Sequence, residues 1–297
     1  MTDRLLGSGL IIVDKPAGMT SHDVISRLRR TFRTRRVGHA GTLDPMATGV
    51  LVVGIERGTR FLAHLVTETK TYRATIRLGA STTTDDAEGD ITSRTDTTGV
   101  TDTIIDAAIT QLTGDIMQKP AAVSAIKIDG KRAHERVRDG ETVDIPARPV
   151  TVHRFDVLDR RSVDGYIDLD VDVFCSSGTY IRSLARDLGN ALGVGGHLTA
   201  LRRTTVGPFD LTHARTLEEL EDNPQLSLTL DQALAASFPV LRVSGEEGHK
   251  LAMGQWLEPR GLKGIHAAVT PDGQAVALVK EKGKRLATVF VARPSTL

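Results

Sequence analysis

Gly38-His39-Ala40-Gly41-Thr42-Leu43-Asp44-Pro45-Met46-Ala47-Thr48-Gly49 carries a single carboxylate, Asp44, among neighbours that are small, bent or apolar. Glycine permits close approach and positive φ, while Pro45 fixes its own φ and restrains Asp44 towards extended backbone. Such a run fits a rigid loop that presents one acid to something bulky. An Asp-Pro turn with no further role is the commoner case on composition alone. The sequence around it therefore has to decide.

Just upstream, Arg27, Arg29, Arg30, Arg33, Arg35 and Arg36 crowd into ten residues with no intervening acid. A charge cluster is more often a solvated face than a ligand site. Placed beside a presented carboxylate, this one raises the prospect of a phosphate-binding surface. The counterweight is Asp85, Asp86, Glu88 and Asp90, so the net charge of the 297-residue chain is only +1. Any nucleic-acid site must come from uneven distribution of charge. With 40% hydrophobic and 25% charged residues the chain reads as globular, and its length suggests about two domains. Cys175 is the only cysteine, which rules out an intrachain disulfide framework and a multi-cysteine zinc site. No apolar run approaches secretory or membrane-spanning length, so the expected location is cytoplasmic with no membrane partner.

Periodicity supplies the elements. Residues 10–13 form a short apolar strand followed by a Lys15-Pro16-Ala17-Gly18 turn. Ser21 is placed to cap a helix with Val24, Ile25 and Leu28 on one face and arginines on the other. Residues 50–55 read as a buried strand and 56–65 as a helix. Residues 70–78 alternate, with Tyr72, Ala74, Ile76 and Leu78 on one face. Residues 81–103 read as loop with at most short strands, and 103–112 as a helix. Residues 118–149 look like an excursion from the core. Residues 150–158 and 166–174 suit a strand pair, and 179–192 an amphipathic helix built on Ile181, Leu184, Ala185, Leu188 and Leu192. Beyond residue 230, glycines punctuate short apolar stretches, the texture of a small β-rich domain.

The Asp44 run, Asp14-Lys15-Pro16-Ala17-Gly18-Met19-Thr20-Ser21, Lys70-Thr71-Tyr72 and Ser177-Gly178-Thr179-Tyr180-Ile181-Arg182-Ser183-Leu184 together resemble, in order, the motifs of the TruB family of tRNA pseudouridine synthases. The resemblance covers roughly residues 8–210. It implies an α+β fold: a mixed, mainly antiparallel sheet of the pseudouridine synthase type with flanking helices, plus a small C-terminal β-rich, PUA-like domain. Periodicity by itself shows only that strands and helices coexist. The expected division is a catalytic domain over 1–230, with an RNA-gripping insert at about 118–149, and an RNA-binding domain over 231–297.

The implied reaction isomerises a T-loop uridine of tRNA, position 55, to pseudouridine, and needs no cofactor and no metal. Asp44 would be the catalytic carboxylate, attacking or deprotonating at the ribose C1′–C2′ region or adding to the uracil ring. Arg182 would pair with a carboxylate through its guanidinium fork. Tyr72 would stack on uracil and exchange a proton at C5. His39 and Tyr180 would help hold the flipped nucleotide, with Gly41, Thr42 and Leu43 as loop contacts. Lys15 is placed with the substrate contacts, although it and Pro16 also look like supports behind the loop. Arg132 and Arg136 would meet phosphates of the T-arm stem-loop. The insert departs from the family pattern: Pro120-Ala121-Ala122-Val123-Ser124-Ala125-Ile126-Lys127 has Val123 where relatives carry tyrosine.

Two other readings stay open on the residues. One is a synthase acting on another RNA, such as ribosomal RNA; the other is a tRNA-binding or folding module. A hydrolase of glycosidic bonds typically wants two opposed carboxylates, and no second acid stands out at a comparable loop. Dinucleotide, phosphate-loop and metalloprotease motifs are missing. A monomer with no obligate protein partner is the expectation.

Overall fold

The computed structural model describes residue 5 and residues 7–66, 68–121, 127–128, 131–132 and 145–295, with backbone only at 127–128 and 131–132. It divides into two compact units: residues 1–45, 49–67 and 206–297 in one, and residues 46–48 and 68–205 in the other.

In the first unit, Gly9–Lys15 lies antiparallel to Thr48–Ile55, and Val37–Ala40 pairs with the same strand. The apolar run at 10–13 is continuous because both faces of this strand are covered. Leu10 and Ile12 join one core with Val50, Val52, Phe61 and Leu234. Ile11 and Val13 join another with Val24, Ile25, Leu28 and Leu217. The helix Ser21–Thr31 therefore buries the face its spacing predicts. Its cap is Thr20 rather than Ser21: the Thr20 hydroxyl accepts from the Asp23 N–H, and Asp23 answers at the Thr20 N–H, a capping box. Residues 56–65 are not one helix but a 3₁₀ segment, Glu56–Phe61, followed by a single α-turn, Leu62–Leu65. The same unit holds a four-stranded sheet, Val240–Arg242, Ile265–Val269, Ala275–Lys282 and Arg285–Val291. Its first pair is parallel and the rest antiparallel, around Leu251, Ala268, Ala277 and Val279. This is the small β-rich C-terminal portion that the glycine punctuation implied.

In the second unit five strands lie in the order Gly196–Val206, Lys70–Leu78, Tyr166–Cys175, Arg148–Val163 and Gly114–Gln118. The last four form an antiparallel run. Lys70, Tyr72, Ala74, Ile76 and Leu78 make the buried face of their strand, as alternation predicts. The helix Ile181–Ala191 packs against it through Leu184, Ala185 and Leu188. The insert begins and ends at neighbouring strand positions, because Gln118 registers with Arg148. It is an excursion from the closed base of a strand pair. Most of it, with Val123, falls outside the described residues.

Gly196–Val206 is not anticipated by periodicity. Arg203, only 1% exposed, occupies a position where alternation would call for an apolar residue. The strand can sit close to the helix because both partners lack side chains at the crossing. A Cβ on Gly189 would lie 2.1 Å from the Gly196 nitrogen. Gly189→Ala must therefore push the helix off the strand, and we expect a loss of about 1–3 kcal/mol, the usual cost of overpacking. A lower denaturant midpoint with an unchanged m-value is the measurement that checks it.

Candidate active site

Asp44 sits in the turn joining Val37–Ala40 to Thr48–Ile55. Strand pairing fixes both feet of this loop, and glycines in left-handed backbone, Gly41 at φ 82° and Gly49 at φ 99°, mark its two ends. Two buried polar groups then stiffen the interior. The Ser21 hydroxyl accepts from the Leu43 N–H at 2.9 Å and donates to the Leu43 carbonyl at 3.1 Å. Lys15 is fully buried, and its ammonium donates to the carbonyls of Met19 at 2.6 Å, Pro16 at 2.8 Å and Pro45 at 3.3 Å. Pro45 also accepts from the Gly18 N–H at 2.8 Å. Leu43 and Ala47 point inward, whereas Asp44 stays half-buried. The residues flanking Asp44 are thus pinned and the carboxylate is left partly open.

This geometry reassigns two expected substrate contacts. Lys15 cannot meet phosphate from full burial; it supports the loop. Leu43 is 4% exposed and anchors the loop in the same way. Thr42 is exposed, and Gly41 and His39 are half-buried, so these keep surface that a nucleotide can reach.

Tyr72, Tyr180 and Arg182 belong to the other unit. Tyr72 lies on the buried strand face between Lys70 and Ala74, and registers with Val173 across the sheet. Tyr180 is half-buried and is the N-cap residue of the Ile181–Ala191 helix, so the helix begins two residues later than its apolar spacing suggests. Its backbone is gripped on both sides by the buried Gln118 side chain, which accepts from the Tyr180 N–H at 2.8 Å and donates to its carbonyl at 3.1 Å. Arg182, in the first turn, is 5% exposed. One of its guanidinium nitrogens lies 3.4 Å from the Asp86 carboxylate and donates to the Thr84 carbonyl at 3.1 Å. One turn on, Arg186 donates to Asp85 at 3.2 Å and to the Lys119 carbonyl at 2.7 Å. Of Arg132 the structure describes only the backbone, and Arg136 lies outside the described residues.

Asp86 is the residue that sequence reading overlooks. Its carboxylate is 2% exposed and also accepts from the Glu88 N–H at 3.0 Å. The signal was two adjacent acids, Asp85 and Asp86, matching two arginines four apart on one helix face. Asp86→Asn keeps the shape but removes the charge that holds Arg182. A misplacement of about 1 Å can cost on the order of 10²-fold in rate. We expect kcat to fall by that order, with little change in KM and a retained circular dichroism spectrum.

Lys70, two residues before Tyr72, is 6% exposed and donates to the Glu68 carbonyl at 2.6 Å. Burial, and secondarily the charge of Arg203, pull its ammonium down from 10.5 to about 8. Between those values the unfolded chain still holds a proton that the folded chain has released. The Lys70 contribution to unfolding free energy therefore rises with pH across that window, by on the order of 3 kcal/mol in total. The raised Cys175 thiol works the other way above about pH 9, so the rise is read as the difference between urea titrations of the wild type and of Lys70→Met, both of which keep the thiol. Cys175 is fully buried, and burial pushes its thiol up to about 11, which leaves no thiolate for nucleophilic chemistry near neutral pH.

Asp44 thus stands on a braced loop of the first unit, and Tyr72 and Arg182 on a strand and a helix of the second. The sequence matches the family model for the N-terminal domain of TruB family pseudouridylate synthases over residues 29–181. Residues 182–236 match the tRNA pseudouridylate synthase B C-terminal domain, and 238–293 the tRNA pseudouridine synthase II C-terminal domain. A tRNA pseudouridine synthase B of Corynebacterium efficiens is 73% identical over 297 residues, covering 100% of both chains. One from Rhodococcus jostii is 57% identical over 99% of this chain and 96% of its own. Among solved structures, a Cbf5-Nop10-Gar1 complex matches with TM-score 0.74 at 27% identity, covering 98% of this chain and 87% of that one. An H/ACA ribonucleoprotein bound to a substrate RNA containing 2′-deoxyuridine matches at 0.73 and 26%, covering 98% and 86%. The chain belongs to the TruB family of pseudouridylate synthases.

Proposed function

We propose that this protein isomerises the uridine at position 55 in the T-loop of tRNA to pseudouridine. The observation that carries the reading is end-to-end identity of 73% with a tRNA pseudouridine synthase B, in a chain that presents Asp44 on a doubly braced loop. The uridine leaves its stack before the carboxylate can reach it. The C1′–N1 bond breaks, the uracil turns, and a C1′–C5 bond forms. C5 gives up its proton and N1 gains one, so the atoms balance without redox chemistry.

Asp44 acts at the sugar as nucleophile or base, or adds to the ring. Arg182 keeps a carboxylate ionised and oriented, and Tyr72 stacks on the base and takes the C5 proton. His39, Tyr180, Gly41 and Thr42 hold the flipped nucleotide, and Arg132 and Arg136 meet stem phosphates. Residues 1–230 form the catalytic domain, and residues 231–297 are an RNA-binding domain of PUA-like type. The protein works as a monomer in the cytoplasm, without an obligate protein partner. Among the described residues, no helix is long and apolar enough to cross a membrane.

Unmodified tRNA incubated with the wild type should gain pseudouridine at one T-loop position, mapped site by site. Asp44→Ala should bind the same tRNA and convert none of it, a loss of at least about 10³-fold, as expected when a group acting in the bond-breaking step is removed. Binding without conversion by the wild type would move the search to ribosomal RNA.

A further inference from the structure

The arginine run that opened the sequence reading is not used by the chemistry above. The structure sorts it. Arg27 is held by Glu221 at 2.6 Å and Glu218 at 3.5 Å, and Arg36 pairs with Glu56 at 3.4 Å. Arg30 lies in the field of Glu221. Arg29, Arg33 and Arg35 are exposed, and no ion pair joins them to an acid among the described residues. Arg60 is exposed on the same unit. With Arg36 it helps to push the neighbouring Arg57 guanidinium down, after burial, so positive charges crowd one another here.

The helix dipole accounts for some of this. Cations in the last turn of Ser21–Thr31 are favoured by the negative end of the macrodipole, and Arg29 is one of them. Arg33 and Arg35 lie beyond the helix. Arg33 is also in a position that sterics would give to glycine. The helix closes with the Thr34 N–H on the Arg29 carbonyl at 3.1 Å and the Arg33 N–H on the Arg30 carbonyl at 3.2 Å. That is the Schellman closure, whose left-handed residue is usually glycine. Here it is an arginine at φ 50°. The side chain at this left-handed position is an exposed guanidinium.

The surface also has a fixed relation to the catalytic loop. Ser21, at the start of the helix, is hydrogen-bonded to Leu43, the residue before Asp44. Eleven residues later the helix ends, about 16 Å along its axis at 1.5 Å per residue. A flipped uridine at Asp44 therefore leaves the arginines within reach of other parts of the same RNA.

We propose that Arg29, Arg33 and Arg35 form a binding surface for RNA phosphates outside the loop that supplies the target uridine. The proposal rests on the assignment of tRNA as substrate. Its energetic term is counterion release, which is read as a salt slope of about 0.7–0.9 per phosphate contacted.

The test measures binding directly, so that it does not depend on catalysis. Full-length unmodified tRNA and the isolated T-arm stem-loop are titrated against wild type, Arg29→Gln/Arg33→Gln/Arg35→Gln, and Arg33→Gly, across a range of salt. The triple variant should bind full-length tRNA at least about 10-fold more weakly at low salt. Its log Kd–log salt slope should fall by about 2–3, as three lost contacts require. Loss on full-length tRNA alone places the phosphates outside the T-arm, and loss on both RNAs places them in its stem. Arg33→Gly removes the strain and the charge together, so it should bind tRNA more weakly while melting no lower than wild type. A misfolded variant cannot give that pair of results. Variants that match the wild type in Kd and slope on both RNAs would overturn the proposal. Wild type that binds but converts no uridine counts against the catalytic assignment alone. Wild type that does not bind tRNA overturns both.

Discussion

A buried ammonium must be solvated by something, and the demands of Lys15 shape the Asp44 loop. Leaving such a charge unsatisfied costs several kcal/mol, while each hydrogen bond to a charged group returns about 1.5–3 kcal/mol. Three carbonyls therefore have to converge on one point, and they come from Pro16, Met19 and Pro45. That convergence ties the turn after the first strand to the residue that follows Asp44. The loop cannot drift without abandoning the charge. Ser21 repeats the logic at lower stakes on the other side, filling both backbone groups of Leu43 with one neutral hydroxyl. Asp44 is flanked by two residues that are pinned through their backbones.

The second unit handles its buried cation differently. Arg182 meets a carboxylate rather than carbonyls alone, and the buried pair with Asp86 is costly to break from one side, by about 3–5 kcal/mol. The more informative feature is what holds the helix that carries it. Gln118 satisfies both backbone groups of Tyr180, and Arg186 satisfies the carbonyl of Lys119. Gln118 and Lys119 stand at the entrance to the insert, so the start of the Arg182 helix and the base of the insert are one hydrogen-bonded assembly. The base of the insert is anchored at the residues that hold the start of the Arg182 helix.

Legibility in the sequence followed the kind of information each feature needs. Tyr72, Ala74, Ile76 and Leu78 announced their shared face because a strand period of two is local. Leu184, Ala185 and Leu188 announced theirs because a helix period is local too. The Asp44 loop was readable because glycine and proline constrain backbone wherever they stand. Asp86 was not, since its meaning lies in Arg182, nearly a hundred residues away and on another element. Gly196–Val206 was missed for a related reason, with a buried arginine breaking its alternation. Ser21 looked like a cap because hydroxyls before helices usually are. Thr20 took that role, and Ser21 was left for Leu43.

Residues 27–36 show how the same side chain serves opposite ends according to its surroundings. A cation that shapes protein is surrounded by acceptors of the protein itself, as Lys15 is by three carbonyls. A cation that meets a polyanion must keep its donors in water until the ligand arrives, so exposure without an acid partner is the requirement. Arg27 and Arg36 fail that requirement because glutamates already occupy them. Arg29, Arg33 and Arg35 meet it, and Arg33 does so at the expense of a strained backbone. Local repulsion among such groups works against the folded state and is relieved when they neutralise phosphates, whose condensed counterions are released. A near-neutral protein can in this way hold RNA through a few residues, since affinity follows where the unpaired charges stand and not how many the chain carries in total.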